Sequence, residues 1–131
     1  MRFMTIYKPG REDSGPPSAE HMAKMGEFIA ELAQSGVLLY TDGLQSSSKG
    51  ARVRIDDNGN FKVTDGPFAE TKELVGGFAI IQTKSKEEAI ELTKRFLSVT
   101  GEGESEVRQL QDEPGFDANS PRNLAQAGST R

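Results

Sequence analysis

The chain carries one histidine, His21, and two aspartates, Asp42 and Asp65, that each precede a glycine near an apolar run. Imidazole and carboxylate are the side chains most used for acid and base work near neutral pH. His21 stands at helical spacing before Met25, Phe28 and Leu32, which places it at the edge of an apolar stripe in a first helical turn. The helix dipole opposes positive charge there, which suits a ring that accepts a proton; a half-exposed helix residue without a role is the plain alternative. Asp65, Gly66 and Pro67 make a rigid turn that either serves only the chain's path or holds a carboxylate at the edge of a pocket. Asp42 with Gly43 repeats the pattern, as a second strand-end carboxylate or as a turn.

These residues lead into the densest stretch of the sequence, DGPFAETKELVGGFAIIQ from Asp65 to Gln82. Glu70, Lys72 and Glu73 read as a solvated charged loop, although Lys72 can steer or orient an anionic ligand. Gly76 and Gly77 within a strand predict a bulge or the close approach of a backbone or ligand; a subunit contact is the alternative. Arg52, Arg54 and Lys62 share one side of a hairpin and read as an outer, solvated surface. The sequence has no nucleophile elbow, phosphate loop or HExxH motif, and no dinucleotide fingerprint. One histidine and no cysteine weigh against a transition-metal site, and no cofactor is expected.

The elements that must position these groups follow from periodicity. Arg2 to Tyr7 is apolar on both faces and reads as a central strand. Ser18 caps a helix whose stripe runs from Met22 through Met25, Phe28, Ile29 and Leu32 to a terminating Gly36. Val37 to Tyr40 reads as a strand, and Ala51 to Ile55 with Phe61 to Val63 as a hairpin turning tightly at Asn58 and Gly59. Val75 to Ile81 is again apolar on both faces. Ser85 with Glu88 forms a capping box before a helix that presents Ala89, Leu92 and Phe96, with a Glu91–Arg95 ion pair on its surface. Glu106 to Leu110 is a last strand, and residues 112–131 read as a disordered tail. The order predicts an α+β, ferredoxin-like βαββαβ fold with an inserted β-hairpin. Two helices cover one sheet face, so a second copy is expected on the other, giving a homodimer with its sheets face to face.

At 131 residues the chain suits one domain, spanning 1–111. A net charge of −4 argues against binding nucleic acid. No apolar run reaches membrane-spanning length, and a cytoplasmic protein is the expectation.

DGPFAETKE followed by GGF, with SAEHMAKM and GVLLYTDGLQ, resembles the YCII-related family and specifically its DGPF branch. The resemblance covers the chain from the first strand to about Leu110. It implies a dimeric α+β barrel similar to the fold of muconolactone isomerases, with a cleft in each protomer and a histidine–aspartate pair as the active groups. His21 fits that histidine by position, and Asp65 is assigned the aspartate's role by inference. The resemblance also implies dehydrochlorinase-type chemistry in distant members and association with sigma factors of the extracytoplasmic-function type. The expected site is a pocket bounded by His21, Asp42 and the loop from Asp65 to Lys72. Gly66, Phe68, Lys72, Gly76, Gly77 and Phe78 would touch a small ligand there. The expected chemistry is metal-independent elimination or isomerisation; a non-catalytic sensing or interaction module is the alternative.

Overall fold

The computed structural model describes residues 1–10, 17–68 and 74–111. Apolar, β-branched and aromatic residues form strand β1 (Arg2–Lys8), β2 (Leu38–Gly43) and β5 (Gly77–Gln82), and the more polar Glu104–Gln109 forms β6. Helix α1 (Ala19–Gln34) begins where Ser18 Oγ accepts a hydrogen bond from the His21 amide at 3.1 Å. It ends where Gly36 takes φ +80°, which lets the amides of Gly36 and Val37 return to the carbonyls of Ala33 and Leu32. Helix α2 (Lys86–Thr100) begins where Ser85 Oγ accepts from the Glu88 amide at 3.1 Å.

The four strands form an antiparallel sheet in the order β2-β5-β1-β6. Each helix therefore connects two strands separated by a third, a connectivity consistent with a ferredoxin-like βαββαβ unit. The pleat sorts the side chains. Phe3 pairs with Ile81, Thr5 with Ala79 and Tyr7 with Gly77, all on the face beneath the helices. Phe3, Ile81 and Ala89 form the buried core there, joined by Val37, Leu38, Leu92 and Val107. Met4, Ile6, Phe78 and Ile80 point to the opposite face, which neither helix covers, and they are only partly buried.

Between β2 and β5 a 3₁₀ turn (Ser47–Lys49) leads to a separate two-stranded hairpin of β3 (Ala51–Ile55) and β4 (Phe61–Asp65). Its turn is longer than the expected Asn58–Gly59 pair and spans 56–60. The Asp56 carboxylate accepts from the Asn58 and Asn60 amides at 2.9 Å each, and Gly59 takes φ +83°. Those two amides hold the Asp56 carboxyl below its usual range.

Arg54 and Lys62 are exposed as expected, but the hairpin's apolar face is exposed as well and Arg52 is not. Val53, Ile55, Phe61 and Val63 are 59–72% exposed, whereas Arg52 is half-buried with its guanidinium 3.8 Å from the centre of the Phe68 ring. The predicted Glu91–Arg95 pair is replaced by a bridge between helices, Arg95 to Glu31 at 2.8 Å, while Glu91 pairs with Lys94 at 3.1 Å. The core stripe of α1 starts at Met25, because Met22 is 60% exposed. Lys72, the charged loop around it and the predicted tail lie outside the described residues.

Candidate functional site

Small side chains on the upper face of the sheet leave space beneath the helices. Thr5 and Tyr7 of β1, Thr41 of β2, and Gly77 and Ala79 of β5 make a floor that Met25, Phe28, Ile29 and Leu32 of α1 and Leu92, Thr93 and Phe96 of α2 roof over. The cavity between them is about 300 Å³, within the range of small-molecule sites. Its roof is tied together from outside. Arg95 of α2 grips Glu31 of α1 through two contacts, Nη1 to Oε2 at 2.8 Å and Nη2 to Oε1 at 3.0 Å, and lies 5.1 Å from the centre of the Phe28 ring. That guanidinium holds the Glu31 carboxyl below its usual range.

Most polar groups in the walls are already engaged. The Thr41 hydroxyl donates to the Phe78 carbonyl at 3.0 Å and the Thr93 hydroxyl to the Ala89 carbonyl at 2.8 Å. Tyr7 donates to the Glu102 carbonyl at 3.0 Å, and its ring meets Phe96 edge-on at 5.3 Å. Burial pushes the Tyr7 hydroxyl above its ordinary value; a hydrogen bond with Thr100 works against this and the Glu102 charge adds to it. The Thr5 hydroxyl makes no hydrogen bond among the described residues.

The predicted site residues divide between this cavity and the hairpin. Gly76, Gly77, Asp42 and Phe78 all contribute to the cavity wall. A Cβ at Gly77 would come within 2.8 Å of the Asp42 carbonyl, so this glycine allows two backbones to meet at the cavity edge. The register pairs Asp42 with Phe78 on the face away from the helices, where Tyr40 stacks on Phe78 at 5.8 Å and donates to Asp42 Oδ2 at 3.1 Å. Asp42 and Phe78 therefore wall the cavity with backbone, and the Asp42 carboxylate looks the other way. That carboxylate, through its hydrogen bond and its charge, raises the Tyr40 hydroxyl above its ordinary value. Sequence spacing did not reveal the aromatic partner of Asp42, although Tyr40 at i−2 on the same strand face was the signal to find it.

His21 lies one helical turn before the wall residue Met25 and is half-buried, with its backbone amide committed to the Ser18 cap. Asp65 is exposed at the foot of the hairpin opposite Ala51, and neither it nor Gly66 and Phe68 belongs to the cavity wall. No hydrogen bond or ion pair joins His21 to Asp65 among the described residues. Gly66 is packed so closely that a Cβ would collide with the Ser47 carbonyl, and its amide donates to Gly50 at 3.0 Å. The Phe68 amide donates to Ser47 Oγ at 3.1 Å, and its ring lines a shallower cleft with Leu44, Lys49 and Leu74. Among the described residues no group of three or more His, Asp or Glu side chains is arranged to hold a metal ion. No helix among them is long and apolar enough to cross a membrane.

The family model for the YCII-related domain matches residues 1–112, a span that takes in every described residue. The chain belongs to the YCII-related family. Among curated proteins none matches this YCII-related chain. A solved structure of 5-chloro-2-hydroxyhydroquinone dehydrochlorinase (TftG) from Burkholderia phenoliruptrix AC1100, in complex with 2,5-dihydroxybenzoquinone, is similar at 14% identity. The match covers 89% of this chain and 100% of that one with a TM-score of 0.40, a likeness too slight to carry chemistry across.

Proposed function

We propose that this YCII-related protein, of the DGPF branch, binds a small molecule in the cavity between helices and sheet and performs acid/base elimination or isomerisation on it. The supporting observation is an apolar cavity of about 300 Å³ whose wall residue Met25 lies one turn from the only histidine of the chain. His21 is the base at the rim. Asp65, at the hairpin foot, is the carboxylate proposed to serve it, whereas the Asp42 carboxylate faces away from the cavity and is held by Tyr40 and the Gly43 amide. Lys72, the residue proposed to orient a ligand, lies outside the described residues. The test is a panel of small chlorinated phenols and enol lactones, followed by chloride release and double-bond migration. Turnover lost in His21→Ala, with the fold retained, supports the reading; turnover unchanged in both His21→Ala and Asp65→Asn removes it.

The bare face of the sheet supports a homodimer. Met4, Ile6, Phe78, Ile80 and Tyr40 form an apolar patch with the Lys8–Glu106–Arg108 ion cluster on the same face. A second copy laid sheet to sheet would give the dimeric barrel. A second reading, a sensing or interaction module serving an extracytoplasmic-function sigma factor, is favoured by the outward apolar face of the hairpin. Co-purification with a co-expressed sigma factor of that type, alongside a turnover panel that stays silent, would favour it over catalysis.

A further inference from the structure

From the composition of the cavity we infer that its ligand is an uncharged, largely apolar molecule of about ten heavy atoms with one polar group directed at Thr5. This rests on the cavity being the binding site and adds the class of molecule that it takes. Size comes first. A cavity of about 150 Å³ lined by apolar side chains holds benzene, so about 300 Å³ holds a substituted ring or small bicycle.

Charge follows from the walls. Among the described residues that line the cavity there is no lysine, arginine or histidine, so a buried anion would meet no positive side chain from them. Among the described lining residues Asp42 is the only one that bears a carboxylate, and the pleat turns its side chain to the opposite face, where it accepts from Tyr40 and from the Gly43 amide. A cation would therefore be as poorly compensated as an anion. The Arg95 guanidinium, which lies over the roof residue Phe28, is occupied by Glu31.

Polarity narrows the choice further. Thr41 and Thr93 spend their hydroxyl protons on backbone carbonyls, and Tyr7 spends its own on Glu102. Thr5, on the floor opposite Ala79, is the lining hydroxyl without an internal partner among the described residues. A hydroxyl, carbonyl or similar neutral group on the ligand satisfies it. Phe28, Phe96 and Met25 supply faces, edges and sulfur that suit a flat ring.

The test uses three probes of nearly equal shape, benzyl alcohol, benzoate and benzylammonium, titrated into the full-length protein at neutral pH and followed by amide NMR shifts. Benzyl alcohol is expected to saturate with shifts at Thr5 and Ala79, at least about a hundredfold tighter than either ion. Thr5→Val should weaken benzyl alcohol about five- to tenfold and leave toluene unchanged. Ala79→Leu, which fills the floor, should abolish both. Charged probes that bind as tightly as the alcohol would overturn the inference, as would the absence of saturable benzyl alcohol binding at millimolar concentration. Equal losses for toluene and benzyl alcohol in Thr5→Val would overturn the role of Thr5 even if Ala79→Leu failed to fold. All of these readings are binding measurements, so a silent turnover panel leaves them standing and a failed titration does not depend on the role of His21.

Discussion

Gly66 and Gly77 show how residues chosen from sequence for chemistry also answer to packing. Both allow a backbone to come close to another, Gly66 to Ser47 and Gly77 to Asp42. Gly66→Ala has to displace the Ser47 carbonyl, and we expect a loss of about 1–3 kcal/mol in denaturant unfolding, the usual cost of overpacking. Unchanged stability would mean that the turn relaxes freely. The glycines were visible in the sequence as unusual; the neighbour that makes each necessary was not, because Ser47 lies 19 positions away by residue number and Asp42 lies on another strand.

At the scale of elements, the roof of the cavity depends on two helices remaining together, and the Arg95–Glu31 pair joins them across the outside. The folded protein holds the Glu31 carboxyl below its usual value, so the unfolded chain takes up that proton more readily. The contribution of the pair is present above the ordinary carboxylate value and is lost as pH falls through the lowered one. Glu31→Gln is therefore expected to flatten the acid side of a stability–pH profile measured by thermal unfolding. An unaltered acid limb would show that the pair contributes nothing measurable, as many exposed pairs do. The sequence offered Glu91 as the partner of Arg95 because i,i+4 spacing is all that one helix can reveal. A contact between helices needs their packing.

The hairpin belongs to the same scale. Its Val53–Val63 and Ile55–Phe61 pairs form a cross-strand apolar ladder in solvent. Replacing Phe61 by Ser and Val63 by Thr removes no buried contact, so unfolding should shift by no more than about 0.5 kcal/mol for each change. Binding to a sigma factor, if the hairpin is its dock, should fall sharply in the same variant. Binding that survives would place the interaction elsewhere.

For the whole molecule, the decisive surface is the sheet face that the helices leave bare. A light-scattering mass at micromolar concentration is expected to correspond to two chains, and Ile6→Asp, which sets a carboxylate in the middle of that patch, to one. A native monomer would leave the patch without the partner proposed for it.

The order of strands and helices, the Ser18 and Ser85 caps and the inward set Phe28, Leu32, Ala89 and Leu92 were all legible in the sequence, because hydrophobic period and capping chemistry are local. The sequence also singled out His21, Asp42 and Asp65 by residue type and neighbours. Only the tertiary structure decided which of them share a space. Strand pairing assigned the Asp42 side chain to the face opposite the cavity, the hairpin took Asp65 into its own two-stranded sheet, and the apolar side of that hairpin turned outward once Arg52 lay on Phe68. Each of these outcomes depends on register or on contacts between distant segments, which a one-dimensional pattern does not contain.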